Sequence, residues 1–119
     1  MPSPHDPDCL FCRIVAGDLP AERMYEDDDV LAFPDIAPQT PCHFLVIPKL
    51  HIATLNDLEA EHGALLGRMF LAAKHIAAER GIAASGYRTV INCGADGQQT
   101  VPHIHLHVLG GRALQWPPG

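Results

Sequence analysis

Apolar positions along the chain fall into two periodicities. His43 to Ile47 (HFLVI) is a continuous apolar run closed by Pro48, which predicts a strand ending where a proline can no longer donate to a ladder. Arg23 to Glu26 and Val30 to Phe33 are shorter strand candidates, and the acidic Glu26-Asp27-Asp28-Asp29 run between them reads as a solvated hairpin turn. Leu58, Leu65, Leu66, Met69, Ala73, Ile76 and Ala77 recur at helical spacing and predict one long amphipathic helix. Asn56 or Asp57 can cap its start and Gly81 suits its end. Beyond it, Tyr87 to Asn92 and His103 to Leu109 are strand-like, separated by the polar loop CGADGQQT. Cys9 to Val15 is apolar enough for a short helix or turn, stopped by Gly17 and Pro20. Strands, one long helix, then strands predict an α+β fold with an antiparallel sheet of about five strands.

The last strand carries the strongest local feature, His103-Ile104-His105-Leu106-His107-Val108-Leu109. Side chains alternate faces on a strand, so the three histidines share one face while Ile104, Leu106 and Val108 enter the core. Two chemistries fit such a ladder. A neutral imidazole can attack phosphorus or carbonyl centres and form a covalent intermediate. Alternate histidines on a strand are equally a metal-ligand layout, as in three-histidine zinc sites. The flanking loop favours a phosphate, since Asn92, Gln98, Gln99 and Thr100, with the amides of Gly94 and Gly97, supply uncharged donors.

Composition narrows the partners. The 119 residues suit one domain, and 47% apolar against 18% charged residues allow a packed core. The ends (1–8 and 112–119) are Pro-rich and read as extended tails around that domain. A net charge of −6 disfavours a bulk electrostatic grip on a nucleic-acid polymer. Eight histidines equal all Lys and Arg together, which makes imidazole the dominant chemistry of the chain. Met1 to Asp8 has no basic and apolar leader pattern, and no apolar run approaches the ~20 residues of a membrane helix, so a cytoplasmic protein without a membrane partner is expected. In that setting Cys9, Cys12, Cys42 and Cys93 are expected as thiols or metal ligands rather than disulfides.

At HIHLHVL the sequence resembles the histidine-triad (HIT) family, and the likeness extends through CLFCRIVAGDLPAERMYEDDDVLAFPDIAPQTPCHFLVIPKLHI, GYRTVINCGADGQQTVPHIHLHVLGGR and the terminal WPPG to its Hint branch. It covers Leu10 to Gly119. The resemblance implies a HIT-like fold and a homodimer that hydrolyses purine nucleoside phosphoramidates, such as adenosine 5′-phosphoramidate and AMP linked to lysine. It implies that His105 is the nucleophile, that His107 contacts the phosphate and leaving group, and that His43 lies behind the triad and holds His105 in its reactive tautomer. It further implies that Asn92 and Thr100 contact the phosphate, where Gln98 is a candidate by its residue type alone, that Asp35 binds the ribose hydroxyls, and that Phe11, Leu19, Phe33 and Ile36 wall the base. By their own residue types Phe33 and Ile36 could as well be core, and Asp35 a turn residue. The tail with Trp116 is implied to pack at the dimer interface near the partner's site, on the leaving-group side.

Cys9-x-x-Cys12, with His51 and the first triad histidine His103, composes a Cys2His2 set suited to tetrahedral zinc. A structural zinc is expected there, with no organic cofactor. Two other classes stay open on the sequence: a non-catalytic purine-nucleotide sensor, and a metallohydrolase that uses the triad as zinc ligands.

Overall fold

The structure is a computed structural model that describes residues 5–119; Met1 to Pro4 of the expected N-terminal tail lie outside the described residues. The chain runs α1 (Leu10–Val15), β1 (Tyr25–Glu26), β2 (Val30–Pro34), β3 (Cys42–Pro48), α2 (Gly63–Glu79), β4 (Tyr87–Val90) and β5 (Leu106–Gly110). The five strands form one antiparallel sheet in the order β1-β2-β3-β5-β4, so β5 is inserted between β3 and the edge strand β4. No helix among the described residues is long and apolar enough to cross a membrane.

The sheet has two separate cores because both of its faces are covered. Val30 and Ala32 of β2, Phe44 and Val46 of β3, and Leu106 and Val108 of β5 pack with Met69, Ala72, Ala73, Ile76 and Ala77 of α2. The alternating partners Leu31, Phe33, Leu45 and Ile47 turn the other way and pack with Cys9, Phe11, Cys12 and Ile14 around α1. That double burial explains the unbroken apolar run of β3, where a sheet wetted on one face would alternate. Three alanines on the buried stripe of α2 let the helix lie close to the sheet. Gly81, at φ +76°, takes the left-handed conformation that terminates α2.

Two elements differ from the sequence expectation. The long helix begins at Gly63, not near Asn56. Asp57 is spent on a local capping box, accepting from Thr54 N–H at 3.1 Å and Thr54 Oγ1 at 2.9 Å. That box closes one 3-10 turn at Leu55–Asp57, Leu58 is extended, and a second turn at Ala60–His62 leads into α2. The histidine strand also starts late, at Leu106. Upstream of it His103 N–H bonds Val101 O and Ile104 N–H bonds Ile52 O, both at 2.8 Å, so this stretch leaves the β3 ladder. Face alternation survives: Ile104 joins the α2 core, while His103 and His105 meet Phe11 on the α1 side.

Candidate functional site

The α1 side of the sheet opens into a cleft of about 590 Å³, within the range of a small-molecule pocket. Phe11, Leu19, Phe33, Asp35, Ile36, Thr100, His105 and His107 all line it, which brings most of the expected nucleoside and phosphate residues to one place. Phe33 is both wall and core, buried and 5.5 Å from Phe11 centroid to centroid. Ile36 is not core at all, being 99% exposed at the mouth. Asn92, half-buried after β4, and Gln98, whose amide donates to Ala95 O at 3.3 Å, are not among the lining residues.

Register places the histidines. Leu45 of β3 faces His107 of β5, and His43 faces Leu109, so His43 and His107 are diagonal neighbours on one face. Their rings bond directly, His43 Nε2 to His107 Nδ1 at 2.9 Å. Gln39 N–H donates to His43 Nδ1 at 3.0 Å. A backbone N–H can only donate, so His43 Nδ1 is an acceptor and the ring hydrogen of neutral His43 sits on Nε2. That hydrogen then donates to His107 Nδ1, which leaves the hydrogen of neutral His107 on its own Nε2. His105 has the opposite arrangement: its Nδ1 donates to His103 O at 2.8 Å, so Nε2 of the neutral ring carries a bare lone pair. The support expected from His43 for His105 is thus supplied by a main-chain carbonyl, and His43 serves His107 instead.

Electrostatics agree with neutral rings. Burial, reinforced by the neighbouring His105 and His43, pushes His107 down to about 4, with Asp35 opposing. Burial also lowers His43, against the pull of Asp35, whose Oδ2 lies 3.4 Å from His43 Nε2 and 3.8 Å from His107 Nδ1. Asp35, His43 and His107 therefore stand close enough to suggest a metal ligand set. The Gln39 N–H argues otherwise, because it holds the His43 hydrogen on the very nitrogen a metal would need. Phe11 packs edge-on to His105 at 5.1 Å and fixes its ring plane.

A second cluster stands beside the first. Cys9 Sγ is 3.3 Å and Cys12 Sγ 3.6 Å from His103 Nδ1; Cys12 Sγ is 3.3 Å from His51 Nδ1, and the two Nδ1 atoms are 3.2 Å apart. Bonds of about 2.3 Å to sulfur and 2.0–2.1 Å to nitrogen would put tetrahedral ligands about 3.3–3.8 Å apart, so these four residues could bind a metal ion. Outer partners fit as well: His103 Nε2 donates to Pro48 O at 2.8 Å, and Asp6 Oδ2 lies 3.8 Å from His51 Nε2. Burial holds His103 down at about 4, hence neutral, and pushes the Cys12 thiol up to about 11, a cost that a cation would reverse.

Some contacts were not visible in the sequence. Gln99, rather than Gln98, ties the 93–100 loop down, donating to Ala53 O at 2.7 Å and Val101 O at 3.0 Å. The N–H of Gln39 carries no side-chain signal that could have announced it. In the C-terminal segment, Arg88 donates to Gln115 O at 2.9 Å and lies 5.8 Å over the ring of Trp116, which is 80% exposed.

Comparison with known proteins gives a consistent picture. The family model described as "Scavenger mRNA decapping enzyme C-term binding" matches residues 8–115. A HIT-like protein of Synechococcus elongatus is 56% identical over 112 residues, which covers 94% of this chain and 97% of that protein. The purine nucleoside phosphoramidase of Escherichia coli is 49% identical over 105 residues, 88% of each chain. Among solved structures, a HIT family hydrolase from Legionella pneumophila superposes with a TM-score of 0.92 at 50% identity, covering 94% of this chain and 100% of that one.

Proposed function

The chain belongs to the histidine-triad (HIT) family, and from that membership we propose that it hydrolyses purine nucleoside phosphoramidates through a nucleotidyl-histidine intermediate. The observation that carries this reading is the pair of opposite tautomers at the cleft. His105 offers a bare Nε2 and its neighbour His107, 5.0 Å away centroid to centroid, offers an Nε2 hydrogen. One is a nucleophile and the other a donor to phosphate or leaving group.

In the first step the His105 Nε2 lone pair bonds to the α-phosphorus as the P–N bond breaks. The departing amine nitrogen keeps the electron pair and takes a proton. Free His43 and His107 are held neutral by burial, and an anionic phosphoryl group in the cleft opposes that depression. The proton they take up with substrate is the one delivered from His107 Nε2. Positive charge that develops on His105 is met by His103 O, already accepting from Nδ1. Water then attacks phosphorus, releasing the nucleoside monophosphate and restoring His105. Asp35 at the cleft floor suits the ribose hydroxyls, Phe11, Leu19, Phe33 and Ile36 suit a flat base, and Thr100 suits the phosphate. Asn92 and Gln98 suit a phosphate by their uncharged amides, Asn92 just before and Gln98 within the 93–100 loop, although neither is among the residues that line the cleft.

Zinc is the metal we assign to Cys9, Cys12, His51 and His103, on the donor set and its spacing. Its contribution is structural, cross-linking the start of α1 to the segment that carries His105. We further propose a homodimer in which Trp116 approaches the partner's cleft, supported by the exposure of its ring.

The test is turnover of adenosine 5′-phosphoramidate and AMP-lysine with mass spectrometry of quenched protein. A nucleotide adduct on His105 is expected. AMP binding by calorimetry with no hydrolysis of any phosphoramidate would instead establish a sensor.

A further inference from the structure

The loop between β2 and β3 is organised around His43 rather than around its own apolar contacts. Asp35 N–H donates to His43 O at 3.1 Å, Ala37 N–H to Asp35 Oδ1 at 2.8 Å, and Gln39 N–H to His43 Nδ1 at 3.0 Å. The Gln39 amide turns back to Ala37 O at 2.8 Å, and buried Thr40 donates to Cys42 O at 2.7 Å. One bond to this loop comes from elsewhere. Arg112 Nη2, two residues past β5, donates to Gln39 O at 3.0 Å, while its Nη1 donates to Ala113 O at 3.0 Å. The neighbouring Gly111, at φ +93°, lets the chain approach closely: a Cβ there would lie 2.9 Å from Pro41 Cβ.

We propose that Arg112 is a positioning residue for the His107 donor, acting through the backbone of Gln39. Its guanidinium fixes the carbonyl of residue 39, the N–H of the same residue fixes His43 as the Nε2–H tautomer, and His43 fixes His107. The circuit begins and ends on β5, since Arg112 follows the strand that carries His107. A chain of three hydrogen bonds thereby spans the exit of the strand and its catalytic face. Without Arg112 the 39–40 peptide is no longer held, the backbone at Gln39 is free to turn about its dihedrals, the His43 ring loses its only fixed donor at Nδ1 among the bonds described, and His107 can present a lone pair to the cleft in place of a hydrogen. His105 stands outside this circuit because its tautomer is set by His103 O. That independence makes the idea testable, and it rests on the proposed hydrolytic role of His107.

Long-range proton–nitrogen NMR of the imidazoles reads the tautomers directly, and phosphoramidate turnover reads their consequence. The expected wild-type pattern is Nε2–H at His43 and His107 and Nδ1–H at His105. Arg112→Ala is expected to give mixed tautomers at His43 and His107 with His105 unchanged, and to lower kcat about tenfold with KM within about twofold. Arg112→Lys, which keeps one donor, recovers part of both signals. Gln39→Pro removes the N–H together with the side-chain bond to Ala37 O and is expected to reproduce the Arg112→Ala tautomer pattern, while Gln39→Ala, which loses the side-chain bond alone, is expected to keep the wild-type tautomers. Single wild-type tautomers and unchanged kcat in Arg112→Ala and Gln39→Pro would overturn the proposal. A drop in melting temperature and kcat with the tautomers intact would overturn it equally, reducing Arg112 to a structural brace. Absence of any phosphoramidate turnover in the wild type would sink the functional reading, while the tautomer pattern would still decide the circuit.

Discussion

The two imidazole clusters of this protein use the same side chain to opposite ends. At Cys9, Cys12, His51 and His103 every ligand atom points inward, two Nδ1 atoms approach to 3.2 Å, and the outer nitrogen of His103 is tied off at Pro48 O. At His43 and His107 the nitrogens are paired donor to acceptor along a line, His105 is paired separately with His103 O, and both His105 and His107 line an open cleft. The first arrangement has its donor atoms converging on a point, with only thiol hydrogens between them. The second has each hydrogen placed by a neighbour, so two adjacent rings present different atoms outward. The contrast teaches that a histidine is assigned by what its second nitrogen touches, not by its place in a motif. His103 and His105 are two residues apart in one motif and belong to different clusters, yet they are joined, since the ring of His103 faces the cysteines while its carbonyl holds His105.

Four measurements can break or sharpen that contrast. His105→Ala should lower phosphoramidate turnover by at least about 10⁴-fold and abolish the nucleotide adduct, with metal content by mass spectrometry unchanged. Equal metal loss in that variant would merge the two clusters into one. Next, Cys9→Ser with Cys12→Ser should drop bound zinc from one per chain to none and lower the melting temperature by on the order of 10 °C. Turnover should fall as well, because the carbonyl that holds His105 loses its anchor. Third comes acid. His103 is held near 4 in the fold against 6.5 in a free chain, so folding disfavours its protonation. Its contribution is complete above pH 6.5 and disappears as pH falls from 6.5 towards 4, about 3 kcal/mol in the metal-free protein by chemical denaturation. His107, also near 4, should keep its bond from His43 in the free protein until the pH falls through about 4, as imidazole NMR would read. Smallest is Ile36→Ser at the cleft mouth, expected to raise KM about threefold, roughly 0.7 kcal/mol, without moving the melting temperature, since the side chain is 99% exposed.

Much of this architecture could be read from the residues. The apolar run of His43–Ile47, the stripe from Leu65 to Ala77 and the alternation around His103–Leu109 each carry their period openly, and they correspond to β3, α2 and the histidine-bearing face. What escaped was local chemistry that competes with period. Asp57 looked like a helix cap and is one, but for a single turn closed by Thr54. His103 and His105 read as ladder residues, while their segment pairs with Ile52 and Val101 instead. Within the site, the family resemblance pointed to Asp35, Phe11, Phe33 and Thr100, all of which line the cleft, whereas residue type alone left Phe33 open as core and Asp35 as a turn residue. The partner of His43 could not be read, because it depends on the diagonal register of β3 on β5 and on a main-chain N–H. Ile36 illustrates the converse: an isoleucine just past a strand says nothing of its own exposure.

The sheet's two-sided burial has a consequence for how the protein can change. Both imidazole clusters hang from one face, with α1 beneath it, whereas α2 covers the other and touches neither cluster among the bonds described. Variation under α2 therefore alters how long the molecule survives without altering what it recognises. Such a division lets a lineage, or an experimenter, accumulate ruggedness in one layer and spend it on new specificity in the other.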